Sequence, residues 1–224
     1  MTLAFYTVFC GKDSNIANCV HSPPSTKHDC YFYTNNTTTG ELAKDRGWIV
    51  VPILKESIDD EIADCLDAKH VKVCPHLYSE LVQYEYTVFC DSKARVLLDK
   101  VLHLLATVTL PWMVIKHPFL FHPCVYAEYD ESMKQPRYVQ QKDRYSSYID
   151  KQVSCGLKTT TSLHLCCTFI IRKMSDPVVT QINNLWWSHI EQCGIQDQIT
   201  FFFVKQYFAD VIYPIEESDR PFIY

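Results

Sequence analysis

Apolar residues in this chain follow two rhythms. Short, nearly continuous apolar runs mark strands buried on both faces. Between them lie longer stretches in which apolar positions recur every three or four residues, as on one side of a helix. Leu3 to Cys10, Cys30 to Thr34, Trp48 to Leu54, Tyr86 to Cys90, Trp112 to Lys116 and Leu165 to Arg172 belong to the first kind. A helix is expected from Ser57, with Ile58, Ile62, Cys65, Leu66 and Lys69 at helical spacing. Ser57 and Asp60 form its capping pair, and Asp59, Asp60 and Glu61 suit its positive end. Pro75 ends it, and His76 to Val82 makes a short helical turn. Arg95 to Val108 and Pro177 to Gln192 are helical, and a last helix runs from Ile195 to about Tyr207. Residues 126–156 form two helices split by Pro136. Residues 21–29 and Asn35 to Gly40 read as loops by composition.

Strands alternating with helices predict an α/β fold with a mostly parallel central sheet flanked by helices. Residues 1–213 form the expected single domain, with 214–224 as an irregular tail or the start of a linker. The insertion 117–165 is expected to cover the carboxyl edge of the sheet, where open α/β sheets bind ligands. The pentapeptide Tyr-Thr-Val-Phe-Cys occurs twice, at 6–10 and 86–90. With no other periodicity, it reads as two central strands of one sheet rather than an internal repeat.

Composition narrows the class. At 224 residues the chain can bury roughly 70% of its unfolded surface. A net charge of −5 with interspersed signs argues against a nucleic-acid binder with a basic face. Only five glycines occur, in neither of the Gly-rich phosphate-binding patterns of dinucleotide and P-loop sites. No apolar run approaches the ~20 residues of a membrane span, and the amino terminus lacks a basic leader region. The 11 cysteines lack a disulfide-like spacing. Reduced, mostly buried thiols in a cytoplasmic protein are expected.

Candidate chemistry gathers at strand ends. Tyr86 to Cys90 runs into Asp91-Ser-Lys93, which puts a carboxylate at the sheet's carboxyl edge. A second acid at 93 would complete the Asp-x-Asp signature that holds a divalent metal under a sugar-nucleotide diphosphate. With Lys93 there instead, Asp91 is either a variant of that site or a plain strand exit. A metal bound to a diphosphate needs few protein carboxylates, because phosphate oxygens supply other ligands. Lys93 would neutralise a phosphate or pair with Asp91. Lys69, His70 and Lys72 crowd a helix end, either compensating its dipole or meeting a diphosphate. Asp197-Gln198 opens a helix after Gly194, either as a helix starter or as a carboxylate beside a sugar. His117, His122, Glu128 and His164, taken singly, read as structural. Cys155, His164, Cys166 and Cys167 do not make a zinc set, since adjacent strand residues point to opposite faces.

These stretches together resemble a known group. They are Phe5-Tyr-Thr-Val-Phe9 with its Gly-Lys-Asp-Ser-Asn loop, Lys69-His-Val-Lys-Val-Cys-Pro-His76, and Phe89-Cys-Asp-Ser-Lys93. His117-Pro118 before Cys124-Val-Tyr126 and Glu128 follows, then Gln152 before Gly156-Leu157. Phe169-Ile-Ile-Arg172, Asn184-Leu-Trp-Trp187 and Gly194-Ile-Gln-Asp-Gln198 complete the set. In this order and over nearly the whole chain, they resemble the amino-terminal domain of chlorovirus capsid-glycosylating glycosyltransferases. They are more distantly similar to a plant and bacterial glycosyltransferase family. The resemblance implies a GT-A nucleotide-diphospho-sugar transferase fold using a UDP-sugar, UDP-L-rhamnose or UDP-glucose, with Mn²⁺ or Mg²⁺, and a glycan or glycoprotein acceptor. By the same resemblance Thr7, Phe9 and the loop to Asn15 hold uridine, Lys69 and Lys72 face the donor, and Asp91 takes the metal. Asp197-Gln198 is similar to the pair that contacts the donor sugar in retaining GT-A enzymes. Lys93 departs from that pattern. The alternative it leaves open is a non-catalytic UDP-sugar-binding module of a larger enzyme.

Overall fold

The computed structural model describes residues 1–12, 19–54, 60–117 and 124–224. Its main sheet has seven strands in the order β3-β2-β1-β4-β7-β6-β8. They are β1 (Leu3–Phe9), β2 (Asp29–Thr34), β3 (Ile49–Pro52), β4 (Tyr86–Cys90), β6 (Trp112–Lys116), β7 (Leu165–Lys173) and β8 (Ile212–Ile215). A separate ribbon pairs β5 (Arg95–Val96) with β9 (Phe222–Ile223). The pairs β1/β2, β1/β4, β2/β3 and β6/β8 are parallel, while β7 is antiparallel to both β4 and β6. The sheet is thus mostly parallel, as the alternation of elements predicts. The carboxyl ends of β1, β2, β3, β4 and β6 and the amino end of β7 therefore share one edge.

The two Tyr-Thr-Val-Phe-Cys copies are neighbours, with Phe5 opposite Val88 and Tyr6 opposite Phe89. Their alternate residues feed two cores, because successive strand side chains point to opposite faces. On one face Ala4, Tyr6, Phe89, Trp112 and Ile170 meet Val71 of α2 (Glu61–Val73), Ile182 and Trp186 of α8 (Pro177–Cys193) and Phe201 of α9 (Asp197–Val204). On the other, Leu3, Phe5, Val88, Met113 and Ile171 pack with Val101 and Leu104 of α4 (Leu98–Thr107). Each such large side chain contributes about 1.5–3 kcal/mol on full burial.

A third core belongs to the insertion. Val125 of α5 (Val125–Ser132), Tyr138 of α6 (Pro136–Val139) and Tyr145, Tyr148 and Ile149 of α7 (Lys142–Ser154) pack on Cys193, Ile199, Phe202 and Phe203. This holds the insertion against α8 and α9, beside the functional edge of the sheet.

Several boundaries depart from the sequence reading. Asn35 to Gly40 is not a loop throughout, because α1 (Thr37–Asp45) begins there with Asn36 Oδ1 accepting from the Thr39 N–H at 2.9 Å. The helix expected from Ser57 starts at Glu61, capped by the Asp60 carboxylate, which accepts from Ile62 N and Ala63 N. Ser57 itself lies outside the described residues. The turn 76–82 resolves into a 3₁₀ turn, Pro75–Leu77, and α3 (Ser79–Val82). Arg95 and Val96 leave α4 to pair with β9. Residues 126–156 make three helices rather than two, with Pro136 opening α6, where its missing N–H is harmless. The 214–224 stretch is not irregular throughout, since it completes β8 and carries β9.

All eleven cysteines are free thiols, only Cys155 being exposed. Among the described residues, no helix is long and apolar enough to cross a membrane.

Candidate active site

A cavity of about 380 Å³ opens at the shared strand edge, lined by Lys69, Lys72, Asp91, His117, Glu128, Arg137, Tyr138, Cys167, Thr168, Gln196, Asp197 and Gln198, among others. Three elements supply its charged floor. The last turns of α2 bring Lys69 and Lys72, the end of β4 brings Asp91, and the first turn of α9 brings Asp197. Lys69 Nζ lies 2.8 Å from Asp197 Oδ1, and Lys72 Nζ lies 2.7 Å from Asp197 Oδ2. Lys72 also reaches Asp91 at 3.7 Å. Lys72 and Asp197 are buried, whereas the Asp91 side chain is 45% exposed.

These contacts decide the charge states. Burial opposes ionisation of Asp197, but the two ammonium groups and their hydrogen bonds outweigh it and hold the carboxyl well below the usual range. Burial likewise opposes a charge on Lys72, and Asp197 and then Asp91 more than reverse this, so its pKa rises above the ordinary value. Asp197 and Lys72 thus form a buried, ionised pair at the centre of the floor, with Asp91 at its exposed margin.

Arg172 fixes where Lys72 begins. It is fully buried on β7, stacked on Trp112 at 4.4 Å, and donates to the Lys72 carbonyl at 3.0 Å and the Tyr6 hydroxyl at 2.7 Å. Tyr6 donates to the same carbonyl at 2.9 Å. An otherwise orphaned carbonyl at the helix end is thereby satisfied from the sheet.

The second half of the site is a hydrogen-bonded chain from β7 to the insertion. Val114 on β6 faces Ile170, but Ile115 faces Cys166, so β7 bulges at 167–169. Bulges re-aim backbone groups and cluster next to active sites. Here the Cys167 N–H donates to Gln198 Oε1 at 2.9 Å, and Gln198 Nε2 donates to Glu128 Oε1 at 3.0 Å. Gln196 Nε2 also approaches Glu128 Oε1, at 3.4 Å, and bonds Ser132 Oγ at 2.5 Å. The other carboxylate oxygen, Oε2, lies 2.8 Å from His164 Nε2 and 3.9 Å from His117 Nε2. Burial and then the neighbouring His164 push the His117 pKa down.

Of the residues singled out in the sequence, Lys69, Lys72, Asp91, Asp197 and Gln198 come together in this cavity. Both ends of the Gln198 amide are already engaged within the protein. Lys93 is exposed and lines a separate hollow with His21, Arg46, Arg95 and Tyr224, and Lys72 takes the place beside Asp91. Thr7 is buried and lines a small space with Trp48 and Asp91, and its hydroxyl has no hydrogen-bond partner among the described residues. Phe9 packs on Val20, Phe32 and Ala43. Asn15 and His122 lie outside the described residues. The convergence of His117, Glu128 and His164 was not visible in the sequence. Each follows or precedes a strand or opens a helix, but only the pairing of β6 with β7 sets the two histidines side by side, with His117 N donating to His164 O at 2.9 Å.

No protein-family model matches the sequence, and no curated protein matches it either. Solved structures do share its architecture. Mouse xyloside xylosyltransferase 1 in its apo form aligns with a TM-score of 0.54 at 8% identity, over 96% of this chain and 85% of that one. The mannosyltransferase Ktr4p from S. cerevisiae aligns at 0.52 and 9% identity, over 100% of this chain and 70% of that one. The bifunctional glycosyltransferase WbbM, also apo, aligns at 0.51 and 12% identity; the match covers 96% of this chain but only 38% of WbbM. With the mixed seven-stranded sheet flanked by helices, these likenesses define the chain as a GT-A type α/β fold.

Proposed function

We propose that the chain is a glycosyltransferase that moves a sugar from a UDP-sugar to a glycan or glycoprotein acceptor. The observation that carries this reading is the ionised Lys69–Asp197–Lys72 cluster beside Asp91, in a cavity at the carboxyl edge of a GT-A sheet. In this reading the lysines neutralise charge that develops on a departing diphosphate. Asp91 offers one exposed carboxylate, which suits Mn²⁺ or Mg²⁺ held mainly by diphosphate oxygens. Such an ion would screen the leaving group's charge. Asp197 is the carboxylate nearest the sugar in this scheme, and Gln198 positions Glu128 and the β7 bulge around it. The donor is UDP-L-rhamnose or UDP-glucose, the transfer retaining, and the acceptor a viral capsid glycan, as the sequence resemblance implies.

The test is incubation with a panel of UDP-sugars and Mn²⁺, following UDP release, alongside calorimetric titration of UDP. Release from at least one donor, lost in a folded Asp91→Asn variant, is the expected result. UDP binding without release from any donor would leave the non-catalytic module, a reading favoured by Lys93 in place of a second acid. Neither binding nor release would sink both.

A further inference from the structure

We infer that His117, Glu128 and His164 form a binding site for a first-row divalent transition metal, with Zn²⁺ the ion of choice. One ring nitrogen of each histidine and a Glu128 carboxylate oxygen all lie within 4.8 Å of one another. Zinc sits about 2.0–2.2 Å from imidazole nitrogen and carboxylate oxygen. A tetrahedral ion at those distances sets its ligand atoms about 3.3–3.5 Å apart, so side-chain shifts of about 1 Å would close the trio, whose Glu128 Oε2 now stands 2.8 Å from His164 Nε2 and 3.9 Å from His117 Nε2.

Three features distinguish this trio from a chance cluster. First, the ligands stand on independent supports. His117 leaves β6 and His164 enters β7, locked by the backbone bond from His117 N to His164 O, while Glu128 lies in the first turn of α5. Glu128 and His164 are buried, so their rotamers are set by packing. Second, the carboxylate is oriented from behind. Its far oxygen takes the Gln198 amide at 3.0 Å and Gln196 approaches at 3.4 Å, the kind of outer contact that aims a metal-ligating carboxylate. Third, His117 and Glu128 line the cavity, so among the described residues one side of the trio faces it. Two histidines and a glutamate with an open position are the ligand set of catalytic zinc, not of closed structural zinc. Imidazole donors also favour transition ions over Mg²⁺. Asp91 is not part of the trio, although it lines the same cavity as His117 and Glu128, and because the metal titration uses no nucleotide its outcome does not depend on the sugar-transfer reading.

The experiment uses the full chain, stripped with a chelator and titrated with Zn²⁺ and, as a spectroscopic probe, Co²⁺. The expected result is uptake of one equivalent of Zn²⁺ without any nucleotide, and a visible Co²⁺ spectrum of nitrogen and oxygen ligation. Glu128→Gln and His164→Gln should each weaken Zn²⁺ binding by more than the roughly 10–100-fold that loss of an outer partner costs, with Asp91→Asn unchanged. Circular dichroism and melting curves confirm that each variant is folded. If Glu128→Gln or His164→Gln fails to fold, the spectrum of the wild-type Co²⁺ protein decides alone. Absence of stoichiometric uptake, a thiolate charge-transfer band that puts the ion on cysteines, or full affinity in both folded variants would overturn the assignment.

Discussion

At the scale of single residues, Asp197 holds two neighbouring cations in place, and removing its charge should be felt well beyond chemistry. Asp197→Asn leaves the ammonium groups of Lys69 and Lys72 facing an amide in a site where Lys72 is buried. Breaking a buried pair from one side costs about 3–5 kcal/mol, so chemical denaturation should show a loss of that order. Acid should reveal the same group. Its folded pKa is depressed, so its contribution is complete above the unfolded value of about 3.9 and is lost as pH falls through the folded value. The wild-type protein should therefore lose stability more steeply below about pH 4 than the Asp197→Asn variant. Asp197, Lys69 and Lys72 were legible in the sequence because helix ends announce themselves by charge. Glu128 and His164, taken singly, read as structural, because their convergence carries no local signal until the strand pairing is known.

At the scale of elements, the corner between α8 and α9 aims Asp197. Gly194 sits there at φ +112°, a region that side chains rarely adopt, with Tyr145 and Gln141 close to where a Cβ would stand. Gly194→Ala should cost about 1–3 kcal/mol from backbone strain, with further loss from crowding Gln141, whose Oε1 accepts from Ile195 N at 3.0 Å. A melting curve and the UDP-release assay together check this. Stability unchanged from wild type would mean that the corner relaxes without consequence. Another glycine shows why the sequence misled. Gly40 helped mark 35–40 as a loop, yet it is buried inside α1, with Val50 and Thr34 at 3.4 and 3.5 Å from where a Cβ would stand. The Asn36 cap and the packing of α1 on the sheet make this stretch helical, causes that composition does not display. Likewise β8 and β9 contain Pro214 and short apolar runs, and only pairing with β6 and β5 makes them strands.

At the scale of the whole molecule, apolar cores flank the sheet and the insertion, and the half-buried His70 and His76 and the buried His189 stand beside them. Burial, followed by the charges of nearby groups, holds His70 and His189 below their ordinary pKa, and burial holds His76 down against the Asn184 hydrogen bond. A neutral buried histidine stabilises the folded state fully above the unfolded pKa of about 6.5, and that stability is lost as pH falls through the folded values. The melting temperature should fall between about pH 7 and pH 5. His189→Gln, which keeps a polar partner for the Tyr148 hydroxyl now 2.6 Å away, should flatten that decline. An equally steep decline in the variant would assign the acid sensitivity to other groups. The alternation of strands and helices made this layered architecture legible, since it needs only apolar periodicity.

The ion pairs under the cavity have a consequence of electroneutrality. Lys69 and Lys72 face Asp91 and Asp197, two positive against two negative charges, and the inner pair is almost dry. A polyanion entering alone would add negative charge beside the Asp91 carboxylate, with Lys69 and Lys72 already engaged by Asp197. The same polyanion arriving with a divalent cation would preserve the balance. Occupancy by one should then raise the affinity for the other, and by reciprocity the factor must be the same whichever binds first.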